Sequence, residues 1–108
     1  MGRYFISVPM FNKTDREIQS MIDRCKSEIQ KIDKNARFID SRVKQEIDAR
    51  NQPLAYLAKS LELLANADAA VFYGDYTKAR GCLIEHRACI AYGIPRHYVQ
   101  EKRKGGKK

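Results

Sequence analysis

The side chains best suited to chemistry gather in the last third of the chain. Asp68, Asp75 and Glu85 supply carboxylates within one short stretch, with Arg80 and Gly81 between them. Glu85 falls about one turn into a helix that opens at Ala79-Arg80-Gly81, so its carboxylate can point toward the crevice that the first free N–H groups of that helix face. Gly81 removes a side chain where backbone could approach a ligand closely. A weakly solvated carboxylate beside an apolar pocket is a competent nucleophile toward an electron-poor sugar carbon. Glycosidic-bond chemistry asks for two carboxyl groups, one to attack and one to deliver a proton to the leaving group. Each residue also has a plainer reading. Glu85 serves equally as a solvated helix residue, Asp68 as a partner for backbone at a strand start, and Asp75 in Gly-Asp-Tyr as a turn residue. Arg80 suits a phosphate or the bare surface. Tyr76 suits a stacked base or packing, and Tyr73 suits packing.

These residues need elements to hold them. Arg3–Val8 is β-rich and stopped by Pro9. Thr14 and Glu17 make a capping box, and the helix it opens carries Ile18, Met21, Ile22, Cys25, Ile29 and Ile32 on one stripe, ending near Asp33–Asn35. Ala36–Asp40 is a second strand with a short apolar centre. Ser41–Gln52 is polar and fits a lid loop or a short helix. From Leu54 an apolar helical pattern runs through Leu57, Ala58, Leu61, Leu64 and Ala65, with Pro53 in its first turn. Ala69–Tyr73 is all apolar, as expected of a strand buried on both faces. Arg80–Tyr92 is a third helix closed by Gly93, with Pro95 just beyond and a last strand over Arg96–Val99.

The alternation predicts a single-domain, three-layer α/β/α fold with a parallel sheet of four to five strands, flavodoxin-like or Rossmann-like. Ligands of such sheets bind beyond the carboxyl ends of the strands, where the strand order reverses. That rule brings Pro9–Lys13, Gly74–Ala79 and the start of the third helix to one candidate site.

Composition narrows the class. The chain has 108 residues, 44% hydrophobic and 31% charged, which suits one globular domain. No run approaches the ~20 apolar residues of a membrane span, and Met1-Gly2-Arg3 leads straight into a strand, so a cytoplasmic protein is expected. Net charge is +8, and the tail 101–108 holds half of it, with five basic residues and one acid. Residues 1–100 are read as the domain and 101–108 as a basic, disordered tail. Without a reading motif, nucleic acid is not an expected partner; an adaptor role through Lys102–Lys108 ranks last. Cys25, Cys82 and Cys89 form no disulfide framework and read as buried packing residues, and with His86 and His97 they have no ligand spacing, so no metal is expected.

Two blocks carry a family resemblance. The opening YFISVPMF and the segment Ala67–Pro95, with its Ala-Asp pair before a buried strand, its Gly-x-x-x-Glu at a helix start and its Tyr-Gly-Ile at the helix end, resemble small phage and bacterial proteins similar to nucleoside 2-deoxyribosyltransferases. The resemblance implies that Glu85 attacks the anomeric carbon to form a glycosyl-enzyme intermediate. It implies that Asp68 contacts or protonates the leaving base, and that Ser7–Met10 (with Ser7, Pro9 and Met10 as contacts) lie near the sugar and any phosphate. Ala79 departs from the serine or aspartate usual two residues before the glycine, and the middle of the chain is compressed. The implied reaction is cleavage or transfer of an N-glycosidic bond of a nucleoside or nucleotide, without a cofactor, in a homo-oligomer whose neighbouring subunit completes the site. A nucleotide-binding module that uses the same cleft without chemistry is the alternative.

Overall fold

A computed structural model describes residues 2–40, 42 and 46–101. The tail 102–108 and residues 41 and 43–45 lie outside the described residues, and with them the expectation of a disordered tail and the Val43 half of the lid-or-helix reading. Residues 46–50 form neither helix nor strand.

The chain runs β1 (Arg3–Ser7), α1 (Asp15–Gln30), β2 (Arg37–Ile39), α2 (Gln52–Leu64), β3 (Ala69–Tyr73), a 3-10 turn over Tyr76–Lys78, α3 (Arg80–Tyr92) and β4 (Arg96–Val99). The four strands form one parallel sheet in the order β2-β1-β3-β4. The first crossover leads outward from β1 to β2, and the next two lead the opposite way. With one crossover hand, that reversal puts α1 on one face and α2 and α3 on the other. The core divides accordingly. Tyr4, Ile6, Val71 and Tyr73 pack with Ile18, Ile22, Cys25 and Ile29 of α1. Phe5, Ala70 and Phe72 pack with Leu64 of α2 and Cys89 of α3. All five residues of β3 are buried, which is why that segment carries no polar alternation. Among the described residues, no helix is long and apolar enough to cross a membrane.

Local chemistry sets the helix ends. Thr14 accepts from the N–H of Glu17 at 3.1 Å, and Glu17 accepts from the N–H of Thr14 at 2.8 Å. Thr14→Ala is expected to cost about 1 kcal/mol, seen as a lower urea midpoint at unchanged slope. Helix α1 stops at Gln30, earlier than its apolar stripe suggests, and Ile32 is exposed. The stop has a cause in Asp33, whose carboxylate accepts from the N–H of Gly2, the hydroxyl of Tyr4 and the N–H of Asn35, turning the chain toward β2. Asn51 caps α2 by accepting from the N–H of Leu54. The buried side of α2 is Ser60 and Leu64, while Leu54, Ala58 and Ala65 of the expected apolar stripe are exposed. Gly93 closes α3 in the left-handed conformation at φ 73°, which favours glycine.

Candidate functional site

Ser7, the last residue of β1, points to the face that carries α2 and α3, and there it meets Glu85. The Ser7 hydroxyl donates to Glu85 Oε1 at 2.7 Å, and the Ser60 hydroxyl from α2 donates to Glu85 Oε2 at 2.7 Å. All three side chains are buried, with Glu85 6%, Ser7 2% and Ser60 7% exposed. Three elements thus converge on one carboxylate at the carboxyl end of β1, beside the point where the strand order reverses between β1 and β3.

No cation among the described residues compensates Glu85. Burial pushes its carboxyl up from the ordinary value near 4.5, and the hydroxyls of Ser60 and Ser7 pull it partly back by bonding to the charged form. The sign for stability follows. Between the unfolded value and the raised native one, the native state binds more protons, so stability falls as pH rises through that window and is level above it. Glu85→Gln removes this dependence. Its melting temperature relative to the unaltered protein should rise between pH 4 and pH 8, each kcal/mol of difference appearing as about 4–8 °C in a domain of this size. A difference independent of pH would mean that the carboxyl is not charged and buried.

The other expected ligand contacts surround the same end of the sheet. Pro9 and Met10 are half-buried in the loop after β1, where Met10 packs on the α1-side core and its carbonyl accepts from the N–H of Lys13. Arg80 is exposed at the first turn of α3. A side chain built at Gly81 would meet nothing within 4 Å, so packing within the chain does not demand glycine there and the space beside it is open. Ala79, at the helix start, offers no side-chain cap. Asp75 is exposed and caps the turn over Tyr76–Lys78 through the N–H and hydroxyl of Thr77, and that hydroxyl holds its carboxyl below the usual range. Tyr73 is buried in the α1-side core, as packing predicts.

Asp68 is a correction. It precedes β3, and in a parallel sheet that is the far end. It pairs with β1 there: the N–H of Arg3 donates to its carboxylate at 2.8 Å, and its own N–H donates to the Arg3 carbonyl at 2.8 Å. Ser7 lies four residues further along β1, about 13 Å away at ~3.3 Å per residue. Asp68 and Glu85 therefore do not share a site.

Two features escaped the sequence. Ser60 is a polar residue in the buried stripe of α2, a signal that was there to find. His86 packs in an aromatic group on the β4 side of α3, stacked on Tyr76 with ring centres 4.3 Å apart and edge-on to Phe72 at 4.9 Å. His86 Nε2 lies 2.7 Å from the Tyr98 hydroxyl. One face of Tyr76 is thus taken by His86. Burial, helped by the Arg96 charge, lowers the imidazole below its ordinary value, which favours the neutral ring of His86. The cysteines are inert: burial pushes Cys25 up to about 12 and Cys82 up to about 11. Among the described residues no group of three His, Cys, Asp or Glu side chains is arranged to hold a metal ion.

No family model matches the chain, and no curated protein matches it in sequence. Among solved structures, it is similar to a 2-deoxyribosyltransferase from the psychrotolerant bacterium Bacillus psychrosaccharolyticus, with TM-score 0.63 and 18% identity. The alignment covers 94% of this chain and 77% of that one. The two share a fold. At this identity the likeness speaks for the α/β architecture alone.

Proposed function

We propose that this protein cleaves or transfers the N-glycosidic bond of a nucleoside or nucleotide, with Glu85 as the attacking carboxylate. One observation carries the reading: a buried carboxylate with no cation beside it among the described residues, oriented by two hydroxyls at the carboxyl end of β1. An uncompensated negative charge in a poorly solvated site favours a partner that develops positive charge as it reacts, and a sugar losing its base does so at the anomeric carbon. The fold likeness to a protein described as a 2-deoxyribosyltransferase, in connection with nucleoside synthesis, supports the same substrate class.

In this reaction Glu85 forms a bond to the anomeric carbon as the carbon–nitrogen bond breaks. The electron pair leaves with the base, which takes its proton from water. The resulting glycosyl ester is opened by water in hydrolysis or by a second base in transfer, and Glu85 is regenerated as the carboxylate. Ser7, Pro9, Met10, Tyr76, Arg80 and Gly81 are the proposed contacts of sugar, base or phosphate. The test is chromatographic. Incubation with ribo- and deoxynucleosides and their 5′-monophosphates, with and without an acceptor base, should release or exchange free base. No release from any member of the panel overturns the reading.

A second reading has its own support. Both Glu85 oxygens are already engaged, Asp68 is at the opposite end of the sheet, and Asp75 is committed to a turn, so neither aspartate expected from the sequence stands ready beside Glu85 as an acid. A nucleotide-binding module of this kind would be stabilised by nucleotides without releasing base, and Glu85→Gln would leave that stabilisation intact.

A further inference from the structure

Ser60 has no role in the contacts proposed above, yet it is buried and aimed at Glu85 from a different element. A hydroxyl in the apolar side of a helix costs stability unless it is hydrogen-bonded. The local solution, a bond back to a carbonyl of the preceding turn, is the common one. Ser60 instead donates across the α2–α3 contact to Glu85 Oε2 at 2.7 Å. The terminal torsion of a glutamate is broad, so one donor fixes one oxygen and leaves the carboxylate plane free to swing. Donors on both oxygens, from β1 and from α2, fix the plane.

We propose that Ser60 is a positioning residue for Glu85: it tethers Oε2 on the α2 side while Ser7 holds Oε1 at the end of β1, so that the carboxylate is fixed in one orientation. The proposal rests on the glycosyl-transfer reading of Glu85 for its catalytic meaning, and its geometry stands apart from that reading. Helix α2 is itself anchored for this task. Tyr56 accepts the N–H of Ile47 through its hydroxyl at 3.1 Å, and the Gln52 side-chain amide donates to the Ile47 carbonyl at 2.7 Å, tying the start of α2 to the segment before it. A serine hydroxyl carries one proton, so each serine serves one oxygen, and neither can stand in for the other.

The experiment uses the full chain and two variants. Ser60→Ala removes the hydroxyl and Ser60→Cys keeps the volume while weakening the donor. The Glu85 side-chain carboxyl is followed by 13C NMR during a pH titration, its signal assigned by its loss in Glu85→Gln. Both variants should raise the Glu85 midpoint, Ser60→Ala by about one to two pKa units, the usual worth of a hydrogen bond to a charged group. In the base-release assay both should lower kcat by about tenfold or more with KM little changed, and move the acid limb of the pH profile upward with the NMR midpoint. An unchanged midpoint in both variants overturns the proposal. So does a midpoint raised in Ser60→Ala alone, because packing and not the hydroxyl would then set it. If Ser60→Ala does not fold, Ser60→Cys alone decides, by an unchanged or a raised midpoint. Raised midpoints in a protein that releases no base would uphold the tether on Glu85 and overturn the glycosyl-transfer reading instead.

Discussion

Glu85→Ala should lose base release or exchange by about 10³-fold or more, on the substrate that the chromatographic panel identifies, with nucleotide-induced thermal stabilisation retained. The size follows from the role. Removing a nucleophile that forms the covalent intermediate leaves only what binding and orientation supply. Side-chain placement gives the prediction a second edge. Ser7 and Ser60 both donate to this carboxylate, so alanine leaves two buried hydroxyls without their acceptor, whereas glutamine keeps the shape and one carbonyl oxygen. Glu85→Gln should therefore match alanine in lost turnover and exceed it in stability. A Glu85→Ala protein that releases base at the unaltered rate would remove Glu85 from the chemistry.

Phe72→Ala should be the most damaging single truncation of the core, costing about 3–5 kcal/mol. A domain of this kind has roughly 5–15 kcal/mol in all, so much of the folded population is at stake. Phe72 is fully buried near the carboxyl end of β3 and touches three aromatic rings on the face beneath α3: edge-on to His86, and tilted against Tyr76 at 5.5 Å and Tyr98 at 6.2 Å. Truncation leaves a cavity lined by these rings, one of which, His86, is on α3, the helix that also carries Glu85. The check is urea denaturation, with a large fall in midpoint and little change in slope. Phe11→Ala is the control: the ring is 86% exposed, and its loss should fall within about 0.5 kcal/mol. Equal costs at the two positions would contradict the packing described here.

How far the sequence foretold this arrangement varies by element. Helix α3 and strand β3 were legible to the residue, because Gly93 and Pro95 punctuate one and an unbroken apolar run marks the other. The Thr14–Glu17 capping box was legible because both partners lie within one turn. The stripes were read too widely. Ile32 and Leu54 have the right type and spacing but fall where the chain has already turned away from the sheet or not yet reached it. The Glu85 site was half legible. Its helix position and its place at the strand ends followed from the alternation of elements, and its serine partners did not, since Ser7 is 78 and Ser60 25 residues away in the chain. Asp68 teaches a sharper rule. In a parallel sheet, a residue just before a strand and a residue just after it are at opposite ends, so nearness in sequence to a buried strand is no argument for nearness to the crevice.

The two outer strands have a consequence for behaviour in concentrated solution. Among the described residues, each has one side of its backbone without a neighbouring strand, which invites another chain to add on. Both are brief, with three residues in β2 and four in β4, and each begins with an exposed arginine, Arg37 or Arg96. A foreign strand laid against either edge gains few ladder bonds and, in an antiparallel pairing of like edges, brings a cation onto an already basic protein. The sheet is thereby discouraged from growing into an aggregate.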